Sequence, residues 1–317
     1  MCLYPRFIKN PRYKVAKGKY DFGTITDERM KYVAIGCGNC IECRQQKSRE
    51  WQTRLHEELK INKFAYFVTL TFSNESLQKL MKKYNVGETN AVATVAVRLF
   101  LERYRKKHGK SVRHWLITEL GHENTKRIHL HGILFPNKEL TNEELTKLWQ
   151  YGRTDTGKYC NAQSINYIVK YVTKIDNDHK NYKPIIICSA GIGKSYVENK
   201  FNRKKHEFKD KDTNEKYTLN NGKEIALPIY YRNKLWSEKE RNKLWTNLLD
   251  KQKRYIRGIE IDISKGDDKY WAVLKEQQKD NIRLGYGSTK EEWKKHDYNI
   301  TFKMLQRATK NKKNTAK

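Results

Sequence analysis

HWLITEL (114–120) and RIHLHGILF (127–135), joined by GHENTK (121–126), decide the fold. Both runs are rich in apolar, β-branched and aromatic residues and read as strands. A link of hairpin length cannot make the long crossover that parallel pairing requires, so an antiparallel hairpin is expected. Working outward, AYFVTLTF (65–72) reads as another buried strand. Between it and the hairpin, Val97, Phe100, Leu101 and Tyr104 fall at helical spacing, and Gly109 stands where a C-cap glycine belongs. Strand, helix, strand, strand specifies an α+β domain whose central antiparallel sheet is flanked by helices. Before it, RQQKSREWQTRLHEEL (44–59) places Trp51, Leu55 and Leu59 four residues apart on one helix face.

Successive side chains alternate along a strand, so His129 and His131 share one face of RIHLHGILF, about 7 Å apart along the backbone. Two imidazoles placed so can grip one metal ion, with Glu119 on the preceding strand adding a carboxylate oxygen. Mixed nitrogen and oxygen ligands with open positions suit Mg²⁺ or Mn²⁺. H-x-H alone equally fits two histidines hydrogen-bonded on a polar sheet face. In YIVKYVTK (167–174), at about 100° per residue, Ile168, Val169 and Val172 join Ile165 in one buried stripe. Tyr167, Lys170, Tyr171 and Lys174 form the opposite face, which in isolation also fits an ordinary solvated surface.

Among the six cysteines, Cys37, Cys40 and Cys43 form CGNCIEC in a Gly/Asn turn, a C-x-x-C-x-x-C array whose thiolates can converge on one soft cation. Cys2 is the candidate fourth ligand of a structural zinc. An iron–sulfur cluster uses similar spacing without the neighbours this chain would need, and free thiols in a reducing cytosol remain the alternative. Cys160 and Cys188 stand apart and read as small buried hydrophobes.

The chain has 317 residues, with 66 Lys and Arg against 36 acids and a net charge of +30, so a polyanion is the expected partner. No run approaches the roughly 18 apolar residues of a membrane span, and no signal peptide precedes the first charges. A soluble protein that stays where it is made is expected. A basic amphipathic protein can also sit on anionic lipid, but the aromatic content and periodic elements favour a folded nucleic-acid binder. The stretch Lys303–Lys317 carries six basic residues and no acid, and is expected to be a disordered tail drawn to phosphate. GIGKS (191–195) fails as a phosphate loop because Cys188 stands where a glycine is required, leaving a tight turn. RNKLW at 232 and again at 241 is a chance repeat whose nine-residue offset turns the second copy to the opposite helix face. Ser237 and Glu240 form a capping box that starts a helix.

Taken together, FVTLTF (67–72), RIHLHGILF and YIVKYVTK resemble, in this order, the three motifs of the HUH endonuclease superfamily, in which rolling-circle replication initiators occur. The two tyrosines on one helix look like the gene A type initiators of the microviruses. CGNCIECR (37–44), Trp51 and the GIG of SAGIGKSY (189–196) are similar to gokushovirus replication initiators. The motifs cover about residues 37–195, and the remainder of the chain rests on composition.

The resemblance implies an RRM-like palm over 63–200, a Cys-rich segment and helix over 1–62, and a basic, mainly helical extension over 201–317. It implies metal-dependent nicking of origin DNA by Tyr167 or Tyr171, with Lys170 and Lys174 tuning the phenols or clamping phosphate, and a covalent 5′-phosphotyrosine. A second cut and rejoining follow. Partners would be origin DNA with a host helicase and polymerase. The protein would act as a monomer in the cytoplasm of a bacterial host. A non-catalytic zinc-containing DNA-binding regulator, and a single-tyrosine transposase or relaxase, are the competing readings.

Overall fold

The computed structural model describes residues 2–14, 25–85, 87–121, 126–176, 178–179 and 182–287, the Lys158 side chain excepted. The expected basic tail at 303–317 lies outside them. Along the chain run β1 (Arg6–Lys9), β2 (Tyr32–Ile35), α1 (Ile41–Ile61), β3 (Tyr66–Leu70), α2 (Asn74–Tyr84), α3 (Thr89–His108), β4 (Arg113–Leu120) and β5 (Ile128–Phe135). Then come α4 (Asn142–Trp149), β6 (Thr154–Tyr159), α5 (Ala162–Ile168), α6 (Lys170–Thr173), β7 (Ile186–Cys188), α7 (Ser195–Glu198) and α8 (Lys200–Lys205). The last elements are β8 (Lys216–Thr218), β9 (Glu224–Ala226), α9 (Ile229–Leu235), α10 (Glu238–Asp250), β10 (Lys253–Ile256), β11 (Ile259–Asp262) and α11 (Asp268–Arg283). The described residues form two compact units, 55–193 and 2–54 with 194–287.

The unit 55–193 is built on a five-stranded sheet in the order β6-β3-β5-β4-β7, with every neighbouring pair antiparallel. The expected hairpin is present: Leu120 pairs Ile128 and Arg113 pairs Phe135, while His122–Thr125 of its link lie outside the described residues. Register puts Val68, Leu70, Leu116, Leu130 and Leu134 on one face, where they share a core with Val97, Phe100 and Tyr104 of α3 and Leu145 and Trp149 of α4. Gly132 allows this packing, because a Cβ there would meet the Trp115 carbonyl oxygen at 2.3 Å. Gly109 ends α3 in the left-handed conformation, φ +73°.

The other face carries Phe67, Thr69, Trp115, Ile117, Glu119, His129, His131 and Ile133. Ile165, Ile168, Val169 and Val172 are buried, as the helical stripe requires. That segment is not one unbroken helix: α5 and α6 meet at Val169, and Lys174 has extended ψ.

Two polar devices fix this unit. Fully buried Glu58 accepts from Arg113 Nε (2.6 Å) and Nη2 (3.0 Å), the Gly193 backbone N–H (2.7 Å) and Asn62 Nδ2 (3.2 Å). A carboxylate removed from water survives only when its oxygens are saturated in this way. GIGKS thereby has a structural role, since Gly191 and Gly193 take φ of +71° and +72°, and Arg113 also donates to the Gly191 carbonyl at 3.2 Å. On β4, Thr118 Oγ1 donates to Asn90 Oδ1 (2.7 Å) and accepts from Tyr182 OH (2.7 Å) and Ile185 N (3.0 Å). This network ties the chain leaving α6 to the sheet.

In the unit 2–54 with 194–287, β1 and β2 form an antiparallel ribbon, as do β8 with β9 and β10 with β11. The residues beyond 200 therefore include strands that composition did not reveal. The Ser237–Glu240 capping box starts α10. The two RNKLW copies lie in α9 and α10, separate helices broken at Trp236–Ser237, so the opposite-face argument does not apply to them. One core joins Leu3, Cys40 and Ile41 to Ile256, Ile261, Tyr270 and Leu274.

Candidate active site

Strand pairing assembles the first cluster. Glu119 sits opposite His129, and His131 lies between Ile117 and Thr69 on the adjacent strands, all on one sheet face. Glu119 Oε2 is 3.2 Å from His129 Nε2 and 3.2 Å from His131 Nε2, and Lys174 Nζ donates to its other oxygen. Each imidazole is held from behind. His129 Nδ1 is 3.3 Å from the Arg127 carbonyl, and His131 Nδ1 is 3.1 Å from Thr69 Oγ1.

A carbonyl only accepts, so His129 Nδ1 carries its proton and a neutral ring presents the Nε2 lone pair to Glu119. Two acceptors at 3.2 Å attract only with a proton or a cation between them. Burial opposes ionisation of Glu119, but hydrogen bonds from His129, His131 and Lys174 outweigh it and hold the carboxyl far below its usual range. One carboxylate oxygen and two Nε2 atoms within 4.8 Å of one another therefore fit a divalent ion.

The tyrosine segment lies over this cluster. The Tyr171 ring stacks on His131 at 4.6 Å between centroids, with 23° between the planes. Tyr167 and Tyr171 touch through their hydroxyls at 3.0 Å. Phe67 of β3 completes the aromatic wall, 6.0 Å from Tyr167 and 6.1 Å from His131. Lys174 bridges the two halves, pairing Glu119 while its Nζ stands 5.7 Å from the Tyr171 ring centre. Lys170 is exposed and joins no contact of the cluster that the structure describes. Burial, the bond with Tyr167 and the negative charge of Glu119 push the Tyr171 phenol well above its usual value. The unaided phenol is thus protonated at neutral pH, and a cation beside Glu119 acts in the opposite sense.

Thr69 and Phe67 are the site residues that sequence reasoning missed. Alternation in FVTLTF places them on one face, but which face joins the histidines follows from strand pairing, which the string does not contain.

The second cluster is the Cys2, Cys37, Cys40 and Cys43 sulfurs, also within 4.8 Å of one another. Backbone N–H groups point at them: those of Tyr4 (3.3 Å) and Cys37 (3.2 Å) donate to Cys2 Sγ, and those of Asn39 (3.4 Å) and Cys40 (3.3 Å) to Cys37 Sγ. Such donors favour thiolates. Mutual S–H···S contacts drive the four thiols apart in acidity, with Cys37 and Cys40 lowered and Cys2 and Cys43 raised. A soft cation fits the group because it takes all four as thiolates. Cys160 is buried, and burial pushes its thiol up to about 11. Cys188 is half-buried on β7.

No helix among the described residues is long and apolar enough to cross a membrane. The family of ORF2-type replication-associated proteins matches residues 65–176, the stretch that holds β3, the histidine strand and the tyrosine segment. The chain is also similar to the replication-associated protein ORF2 of Spiroplasma virus 4, 29% identical over 235 positions that cover 63% of this chain and 70% of that protein. No solved structure matches.

Proposed function

We propose that this protein initiates phage rolling-circle DNA replication by nicking a single-stranded origin. In this reading residues 63–200 are an HUH endonuclease core of the microvirus type. The observation that carries it is the stacking of Tyr171 on His131 with Tyr167 in hydroxyl contact, which puts two phenols beside one His–His–Glu cluster. The matched family and the viral relative, both of replication-associated proteins, support the same class.

His129, His131 and Glu119 would hold Mg²⁺ or Mn²⁺, which when bound polarises a phosphate oxygen and stabilises phenolate. The chain's own residues supply the rest. One tyrosine oxygen attacks the scissile phosphorus and the bond to the 3′ oxygen breaks. The phenol proton goes to that oxygen, leaving a free 3′-OH as primer and the 5′ phosphate on tyrosine. Phenol is a far better leaving group than an alkoxide, so the linkage stays reversible. The first tyrosine stays occupied until the copied origin returns, and the second then makes the next cut. Lys174, whose cation already faces Glu119 and Tyr171, positions the carboxylate or meets the phosphate. Exposed Lys170 is available to the incoming strand.

Cys2, Cys37, Cys40 and Cys43 would hold a structural zinc. The protein would act as a monomer in the host cytoplasm, with a host helicase and polymerase completing the cycle.

The test is incubation with single-stranded oligonucleotides tiling the phage origin, with Mg²⁺ or Mn²⁺, followed by denaturing electrophoresis. A covalent adduct is expected from the wild type and none from the Tyr167→Phe/Tyr171→Phe double variant. An adduct from that double variant overturns the assignment.

A further inference from the structure

The ribbon β1/β2 exposes more aromatic surface than folding explains. Phe7 is 62% exposed and Tyr32 53%. Phe7 pairs with Ala34 and Tyr32 with Lys9, so all four side chains share one face, with the two rings at diagonal positions about 7–8 Å apart. Residues 6–14 and 31–35 carry Arg6, Lys9, Arg12, Lys14 and Lys31 and no acid. Lys31 Nζ stands 5.9 Å from the Tyr32 ring centre.

Ala34 also borders a cleft of about 410 Å³, within the usual range for a ligand site, whose lining includes Asn10, Arg12, Asn242 and Trp245. Trp245 is 40% exposed. The acids nearby are already neutralised: Glu238 of the cleft pairs with Arg12, Glu28 with Lys14 and Asp27 with Arg29.

We infer that this ribbon and cleft form a binding platform for single-stranded DNA, separate from the tyrosine site. Rings offered flat on an uncompensated basic ribbon match the chemistry of an unpaired strand, in which bases stack while lysines follow phosphates. A duplex hides its base faces, and an apolar protein partner would leave the cations without counterions. The inference extends the nicking proposal by giving the strand a second hold, but its test needs no cutting.

Binding of fluorescent oligo-dT to the full chain is measured by anisotropy without added divalent ion, across a salt series. Phe7→Ala/Tyr32→Ala should weaken binding roughly tenfold or more, with the salt slope unchanged. Lys9→Ala/Lys31→Ala should weaken it and flatten the slope by about 1.4, the contribution of two phosphates. Phe7→Tyr/Tyr32→Phe should keep wild-type affinity, which separates stacking from damage to the ribbon, and duplex affinity should change little in the aromatic variant. Unchanged oligo-dT binding by Phe7→Ala/Tyr32→Ala overturns the inference. So does a loss confined to self-association on gel filtration, or to anionic vesicles. Failure of the wild type to form a phosphotyrosine adduct would refute nicking and leave this result standing.

Discussion

Thr69→Val tests whether the sheet aims His131 at a metal. The substitution keeps the branched shape a strand favours and removes only the hydroxyl that faces His131 Nδ1 at 3.1 Å. For His131 to offer the Nε2 lone pair, its proton must sit on Nδ1 and donate to Thr69 Oγ1. Valine leaves that N–H unpaired in a largely buried ring, a cost of about 1–3 kcal/mol. At about 1.4 kcal/mol per tenfold, that is roughly 5- to 150-fold in affinity, in line with the 10- to 100-fold usual for a partner behind a metal ligand. Titration of Mn²⁺ followed by electron paramagnetic resonance reads the affinity directly, without turnover. Thr69→Ser should restore most of it, and thermal melting should move little in either variant. Wild-type Mn²⁺ affinity in Thr69→Val, or a serine variant as weak as the valine one, would refute the reasoning.

The paired tyrosines should separate single cutting from the full cycle: Tyr167→Phe and Tyr171→Phe should each retain some nicking of a short origin strand, but neither should release a joined circle in a coupled assay. Circle release at the wild-type rate by one of them would remove that tyrosine from catalysis. Arg113→Ala strips fully buried Glu58 of the guanidinium that pairs with it and should destabilise the unit by about 3–5 kcal/mol in urea unfolding; a loss below about 1 kcal/mol would mean that Gly193 N–H and Asn62 suffice. Metal analysis should find about one zinc per chain, and strong chelators should expose residues 253–284 to proteolysis, because their core includes Cys40 and packs Cys2, Cys37 and Cys43. Protease resistance unchanged by chelation would favour free thiols.

The string of residues by itself determined the elements whose causes are local. Period-two alternation marked β3, β4 and β5, and a six-residue link made the hairpin antiparallel. Helical spacing put Ile165, Ile168 and Val172 inside and Tyr167, Lys170 and Lys174 outside, and the terminal signals at Gly109 and Ser237 sit where the backbone uses them. Short spacing gathered Cys37, Cys40 and Cys43, and alternation paired His129 with His131.

What depends on register and long-range packing was decided only in three dimensions. Thr69 stands behind His131 because β3 pairs with β5 in one register, and a slip of a single residue would turn it to the other face. Glu58 and GIGKS read as an ordinary helix acid and a loop until Arg113 joins them. The strands β8 to β11 were invisible because they are three or four residues long and draw their stability from packing that no local pattern records. Leu3 and Ile41 meet Ile256 and Tyr270 across more than two hundred residues of chain, and burial of apolar surface, which carries no sequence direction, is what brings them together.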